Sequence, residues 1–172
     1  MSENGWRFCG NRRSVERLRS AARRRSPRHA FLLTGVPSLG KRALALRFAQ
    51  ALLCEQPIDG DPCFECESCR RVLRGSHPDI SIFALEQQQA LAGERGSKAT
   101  TLTIETARSI SAQAPLRPMN GNWRFVIVDD AEVLLPDAQE ALLKTIEEPP
   151  PFLGLLLVSA DLEAILPTIR SR

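Results

Sequence analysis

Apolar positions along the chain change period several times, and each change marks an element. Val15, Leu18, Ala21 and Ala22 recur at helical spacing inside a segment otherwise dense in arginine. They predict an amphipathic helix that ends at Ser26-Pro27, because proline biases the residue before it away from helix. Ala30-Phe31-Leu32-Leu33-Thr34 is a short apolar run of the kind buried on both faces of a sheet. A glycine-bounded loop, Gly35 to Gly40, follows, and from Lys41 to Leu53 the stripe Leu44, Phe48, Ala51, Leu52 returns to helical period. Cys54 to Cys69 carries Pro57, Gly60, Pro62 and four cysteines, a texture of irregular structure. Asp79 to Leu85 reads as a strand, with Ile80 and Ile82 on one face, and the polar stretch from Gln87 to Thr100 as a loop.

Thr103 caps a predicted helix that runs to about Gln113, with Glu105 in its first turn. Phe125-Val126-Ile127-Val128 is a second apolar strand, ending on two carboxylates, Asp129 and Asp130. Asp137 and Glu140 form a capping-box-like pair ahead of a helix whose buried side is Ala138, Ala141, Leu142 and Ile146. Pro149-Pro150-Pro151 stops that helix, Leu153 to Ser159 is a third core strand, and a short helix is expected near Leu162 to Ile165. Strands alternating with helices build a parallel sheet covered on both faces, so the fold class is α/β, doubly wound. The 172 residues suit a single domain, 1–172.

Composition narrows the setting. No run approaches eighteen apolar residues, which excludes a membrane-spanning helix, and Met1 to Gly10 has no apolar signal core; a cytoplasmic protein is expected. Net charge is only +3, yet between Arg12 and Arg28 eight arginines face one acid, Glu16. This Arg-rich N-terminal segment, 1–28, is either a phosphate-facing surface or a solvated helix face. Only Lys41, Lys98 and Lys144 are lysines, so arginine is this chain's default cation and its position says less than usual.

Gly35-Val36-Pro37-Ser38-Leu39-Gly40-Lys41 matches GxxxxGK between a buried strand and a helix. There the glycines let backbone N–H groups converge on an anion, the helix N-terminus adds positive potential, and the lysine reaches the outer phosphates of a nucleotide such as ATP. The next residue should carry a hydroxyl for Mg²⁺ but is Arg42, a donor-only cation. Arg42 either replaces the metal's charge beside a phosphate or fills an empty pocket. Asp129-Asp130 resembles a Walker B pair, the first acid holding metal through water and the second polarising the attacking water; Asp130 is one methylene shorter than the usual glutamate. ATP binding is compatible with these residues, whereas weak or absent ATPase activity is expected.

Cys54, Cys63, Cys66 and Cys69 give C-x8-C-x2-C-x2-C. In a reducing compartment, four thiols at short spacings favour one tetrahedral Zn²⁺ over disulfides, the other reading being free thiols or a redox pair. Four protein ligands leave no open position, so the zinc module, 54–69, is structural and holds an excursion too poor in apolar residues to fold alone. Cys9 falls outside the spacing.

The GxxxxGK loop, the following helix and the cysteine spacing together resemble the zinc-bearing AAA+ subunits of the bacterial DNA polymerase III clamp loader. Ala141-Leu142-Leu143-Lys144-Thr145-Ile146-Glu147-Glu148-Pro149-Pro150 and Thr168-Ile169-Arg170-Ser171-Arg172 strengthen the likeness, which runs from about His29 to Arg172. It implies an AAA+ P-loop NTPase-type core with an inserted zinc module. The lid and the C-terminal collar of the family are expected to lie outside these residues. In that family the gamma/tau subunits are motors and the delta-prime subunit is a stator whose nucleotide site is often impaired. Arg42, Asp130 and Ser76-His77-Pro78-Asp79 are similar to the stator, and an ATP-hydrolysing gamma/tau-type motor is the alternative. The resemblance further implies hetero-oligomeric assembly with delta and gamma/tau. Contact with the sliding clamp and primed DNA would come through that complex. Ser171-Arg172 looks like the start of the family's SRC motif, with Arg172 acting in trans at a neighbour's ATP site. Ser159 lies near the sensor-1 place, or is a core hydroxyl. Two other classes fit less well. A phosphoryl-transfer enzyme would need a second constellation for an acceptor, and a zinc-dependent nucleic-acid binder would need more aromatics than Phe64 beside Arg70, Arg71 and Arg74.

Overall fold

The computed structural model describes residues 5–25, 27–93 and 100–172. Four strands, β1 (Ala30–Thr34), β2 (Ile80–Phe83), β3 (Arg124–Val128) and β4 (Leu153–Ser159), form one all-parallel sheet in the order β1-β4-β3-β2. The helices are α1 (Arg12–Arg23), α2 (Lys41–Leu53), α3 (Glu67–Leu73), α4 (Leu85–Gly93), α5 (Ile104–Gln113), α6 (Pro136–Glu147) and α7 (Pro167–Arg170).

Period-two alternation along the central strands divides the core into two layers. Phe125, Ile127, Leu156 and Val158 face α1 and α2, where they meet Trp6, Leu18, Phe48 and Leu52. Val126, Val128, Leu155 and Leu157 face α5 and α6, packing on Ala107, Ile110, Ala138, Leu142 and Ile169. Helices therefore cover both faces of the sheet. Helix α1 buries Val15, Leu18, Ala21 and Ala22, the stripe its spacing predicts.

Several local expectations are corrected. Gln87 to Gly93 is helical as part of α4, because Leu85 through Ala92 are good helix formers whose polar side can stay in water. Helix α6 starts at Pro136, not behind an Asp137 cap. Its N-cap is Leu135, and Asp137 accepts the neighbouring Ala138 N–H at 2.8 Å, so no capping box forms. Thr103 is the N-cap of α5, but its hydroxyl turns to Glu105 and makes no capping bond. The short helix expected at Leu162 to Ile165 is a turn, and the helix falls at α7, where Pro167 supplies the fixed φ of a first helical residue. Within the polar N-terminal stretch Trp6 is fully buried and donates its indole N–H to the Gly60 carbonyl at 3.0 Å. Ser26 and residues 94–99 of the predicted loop lie outside the described residues. No described helix is long and apolar enough to cross a membrane.

Candidate functional site

The carboxyl ends of β1, β3 and β4 open onto a cavity of about 410 Å³, the usual place for a ligand in an open parallel sheet. Pro37, Ser38, Gly40 and Lys41 form one wall, Asp129, Asp130 and Glu132 the opposite one, and Val158 and Ala160 the floor. The loop from β1 to α2 turns through left-handed backbone at Ser38 (φ 63) and Gly40 (φ 74). A side chain at Gly40 would also come within 3.4 Å of the Phe8 ring, which packs over the loop. Val36 and Leu39 remain exposed on its outer side. Lys41 folds its Nζ back onto the carbonyls of Gly35 and Val36, at 2.7 and 2.8 Å. Converging loop N–H groups, a lysine and the N-terminus of α2 can hold a phosphate-bearing anion here.

The same wall is a poor fit for Mg²⁺. Arg42 stands where a hydroxyl ligand would be needed, its Nη1 2.5 Å from Glu86 Oε1 and 3.5 Å from Asp129 Oδ2. The bond to Glu86 holds the guanidinium firmly charged, though burial opposes it. Burial pushes the Asp129 carboxyl above its ordinary range; the Asp130 charge adds to this and Arg42 opposes it. Asp130 sits in left-handed backbone (φ 54) and turns its carboxylate to the Leu85 N–H at 3.3 Å, capping α4. One oxygen of the second acid is thus taken up by α4, although the residue lines the cavity. Glu132, two residues on, has a buried carboxylate oxygen without a hydrogen-bond partner. Neither Glu86 nor Glu132 could be assigned from the sequence, since a tie across 44 residues leaves no periodic trace.

The four cysteine sulfurs converge, all lying within 4.8 Å of one another. Cys54 and Cys63 are 3.5 Å apart, Cys54 and Cys66 4.0 Å, and Cys63 and Cys69 4.0 Å. A tetrahedron with Zn–S bonds of about 2.3 Å has edges of about 3.8 Å, whereas a disulfide needs about 2.05 Å. The cluster fits one tetrahedral ion, and all four thiols are free. Backbone N–H groups point at the sulfurs in sequence: Cys63 to Cys54, Cys66 to Cys63 and Cys69 to Cys66, at 3.3, 3.3 and 3.4 Å. Against the effect of burial, N–H groups of Cys66 and Glu65 draw the Cys63 thiol down to about 7.

Packing ties this loop to the core. Arg19 binds Asp61, Arg23 binds Asp59 at 2.6 Å, and Gln50 donates to the Cys69 carbonyl at 3.1 Å. A Cβ at Gly60 would meet the Arg19 carbonyl at 2.8 Å, so only glycine allows this close approach to α1. Arg25 also donates to the Cys54 carbonyl at 3.4 Å, so three of the eight arginines in the N-terminal run contact this loop; Arg12, Arg13, Arg17, Arg24 and Arg28 are exposed.

In the motif Ser76-His77-Pro78-Asp79, His77 and Asp79 are buried and form a joint, while Ser76 is exposed. Asp79 donates its N–H to His77 Nδ1 at 3.1 Å, which leaves Nε2 to face Ser68 Oγ at 3.0 Å, and Ser68 donates to the Leu53 carbonyl at 2.8 Å. The Asp79 carboxylate accepts the N–H groups of Met119 and Asn120. Buried Gln139 binds the carbonyls of Leu134 and Ala164 and the Leu166 N–H, fixing the segment that leads into α7. Beyond it Arg172 Nη2 pairs with Glu147 at 2.7 Å, and Arg170 with Glu163 at 2.9 Å. Ser159 uses its hydroxyl in a turn with Asp161, donating to the Asp161 carbonyl at 2.7 Å.

Comparison with known proteins agrees with this architecture. A solved gamma subunit-related protein of DNA polymerase III from Thermotoga maritima superposes with a TM-score of 0.63 over 92% of this chain and 43% of that one, at 22% identity. The RuvB Holliday junction branch migration motor of the same organism gives 0.53 over 99% of this chain and 45% of its own, at 15% identity; both show likeness of fold. In sequence, the chain is 35% identical over 144 residues to DNA polymerase III subunit delta' of Pseudomonas aeruginosa, and 34% over 144 residues to that of Escherichia coli K12. These alignments cover 84% of this chain and 41% and 40% of the relatives, so it spans about two fifths of their length. A tau/gamma subunit from Haemophilus influenzae is 31% identical over 145 residues, covering 84% of this chain and 19% of the relative. The sequence model of the family described as DNA polymerase III, delta subunit, matches residues 10–172. Matched along nearly its whole length, the chain belongs to the DNA polymerase III delta-subunit family, a family of clamp-loader subunits.

Proposed function

We propose that this chain is the AAA+ core of a delta-prime-type stator, which contributes to ATP-driven loading of the sliding clamp onto primed DNA without hydrolysing ATP itself. One observation carries the reading: Arg42 lies against Asp129 and Glu86 where a motor needs a hydroxyl and an open metal position. The diversion of Asp130 to the N-terminus of α4 supports it, since a base committed to a backbone N–H is poorly placed to polarise water. In this reading the loop from Gly35 to Lys41, with Arg42, Asp129 and Asp130, takes ATP weakly. Cys54, Cys63, Cys66 and Cys69 hold one structural Zn²⁺, and Arg172 serves a neighbouring subunit. The unit is one core domain over 1–172, with an Arg-rich N-terminal segment, 1–28, whose helix is α1 (Arg12–Arg23), and the zinc module at 54–69. It works in the cytoplasm with delta and gamma/tau, and meets clamp and DNA through that complex.

A gamma/tau-type motor is the second reading, favoured by the intact lysine of the loop and by the tau/gamma relatives. Mg-ATP turnover separates the two. The stator reading expects no turnover above background from the isolated chain, and co-purification with delta and gamma/tau from a version extended to the length of its relatives. Steady hydrolysis by the isolated chain, abolished in Lys41→Ala, would establish the motor instead.

A further inference from the structure

Both cations of the cavity loop are already engaged by the chain's own groups. Lys41 is held by two loop carbonyls, and Arg42 is held more closely by Glu86, at 2.5 Å, than by Asp129, at 3.5 Å. Glu86 belongs to the first turn of α4, and its side chain is 65% exposed. The same helix is anchored a second time, where the Asp130 carboxylate accepts the Leu85 N–H at 3.3 Å. The N-terminus of α4 thus rests on two residues of the cavity, one following the loop after β1 and one following β3. Its amides at Gln87 and Gln88 donate to the Ala84 carbonyl at 3.1 and 3.3 Å and report whether that first turn is closed.

We infer that Glu86 is an internal competitor for the anion-binding groups of the cavity, so that a nucleoside triphosphate draws Arg42 off Glu86 and loosens the first turn of α4. The inference rests on the proposed nucleotide reading of the cavity. A guanidinium prefers bidentate bonds to phosphate oxygens, and a triphosphate brings several charges against the single one of Glu86. Glu86 returns to water at little cost because it is already mostly exposed, whereas Asp129, only 16% exposed, stays behind Arg42 and keeps the guanidinium in the cavity. The coupling is reciprocal: the affinity that nucleotide loses to Glu86 is the stability that α4 loses to nucleotide.

The test is calorimetric titration of the full chain with ATP, without added divalent cation, for the unmodified protein and for Glu86→Gln. Amide hydrogen exchange at Gln87 and Gln88 is followed in parallel. Removing an exposed competitor of this kind is expected to tighten ATP binding about threefold to fivefold. Exchange at both amides is expected to speed up on ATP binding in the unmodified chain, and to be insensitive to ATP in Glu86→Gln. Glu86→Ala must give the same tightening, which ties the effect to the charge and not to the new amide. Equal or weaker ATP binding by both variants, with α4 unmoved, overturns the competitor role while leaving nucleotide binding in place. No ATP binding by any of the three proteins removes the nucleotide reading itself, and the competitor role with it.

Discussion

Arg19 grips Asp61 with a two-pronged guanidinium–carboxylate contact, Nε to Oδ1 and Nη2 to Oδ2, both at 2.6 Å. The pair joins α1 to the loop that carries the cysteines, and neither side chain is more than a quarter exposed. A geometry of this kind is stronger than an ordinary surface ion pair, because both charged groups keep matched partners away from bulk water. Arg19→Ala is expected to destabilise the chain by about 2 kcal/mol, read as a lower urea midpoint at unchanged slope. Arg12→Ala, at an exposed arginine on the same helix, is the comparison and should leave the midpoint where it was. Equal midpoints for all three proteins would show that the loop does not depend on this contact.

Metal analysis of protein purified under reducing conditions is expected to give one Zn²⁺ per chain. Binding energy at a four-thiolate site is folding energy for the loop it closes, so Cys66→Ser should lose the metal and melt at a lower temperature. Cys9→Ser, at an exposed thiol outside the cluster, should change neither. Well under one equivalent of zinc in the unmodified chain would remove the structural role.

His77 makes stability depend on pH. Burial lowers its pKa below the ordinary histidine value of 6.5, although the Asp79 charge pulls the other way. The unfolded chain therefore takes up the proton first as pH falls. The contribution of the neutral ring is complete above about pH 6.5 and is lost below it, toward the folded pKa, at no more than about 1.4 kcal/mol per pH unit. Urea midpoints between about pH 7.5 and 5.5 should fall more steeply for the unmodified chain than for His77→Gln, which keeps a donor for Ser68 but does not titrate. Parallel curves would count against histidine as the source.

Arg42→Thr restores the hydroxyl that a metal-bound triphosphate needs. ATP binding by the unmodified chain is expected to change little on adding Mg²⁺, since Arg42 already supplies positive charge at that place. The threonine variant should bind more tightly with Mg²⁺ than without. Strong Mg²⁺ dependence in the unmodified chain would mean that Arg42 swings clear of Asp129 when nucleotide arrives.

Much of this was legible because the relevant signals are local. The stripe on α1, the all-apolar runs of β3 and β4, the GxxxxGK loop and the cysteine spacing each need only a few consecutive residues, and each element lies where the pattern put it. Helix α4 was hidden because its polar run Glu86-Gln87-Gln88-Gln89 carries no apolar period to read. The roles of Glu86, His77 and Gln139 depend on contacts with residues distant in sequence, which no window of residues can reveal. The start of α6 went astray for a different reason. Asp137 and Glu140 have the right spacing for a box, but Pro136 takes the first helical position and shifts the register by two residues.

Arg172 is expected to act on a neighbouring subunit, and its setting in the isolated chain suits a residue kept in reserve. Its Nη2 rests on Glu147 at 2.7 Å, with side-chain exposures of 57% and 43%, so leaving that partner for a phosphate costs little. The backbone behind it is not free to drift, since Gln139 binds both Ala164 and Leu166 just ahead of α7. A guanidinium on a fixed stem can stabilise charge developing on a transferred γ-phosphoryl group, an effect of roughly 10³–10⁵ in rate in other systems. In a clamp loader reconstituted with a version extended to the length of its relatives, Arg172→Ala should leave assembly intact and reduce clamp-stimulated ATPase. The loss should be confined to the one adjoining motor site. Arg170→Ala, which removes the pair with Glu163, should leave the rate near its original value. If Arg170→Ala abolishes hydrolysis at that site and Arg172→Ala does not, the finger is Arg170; if both variants turn over at the unmodified rate, this segment supplies no finger at all.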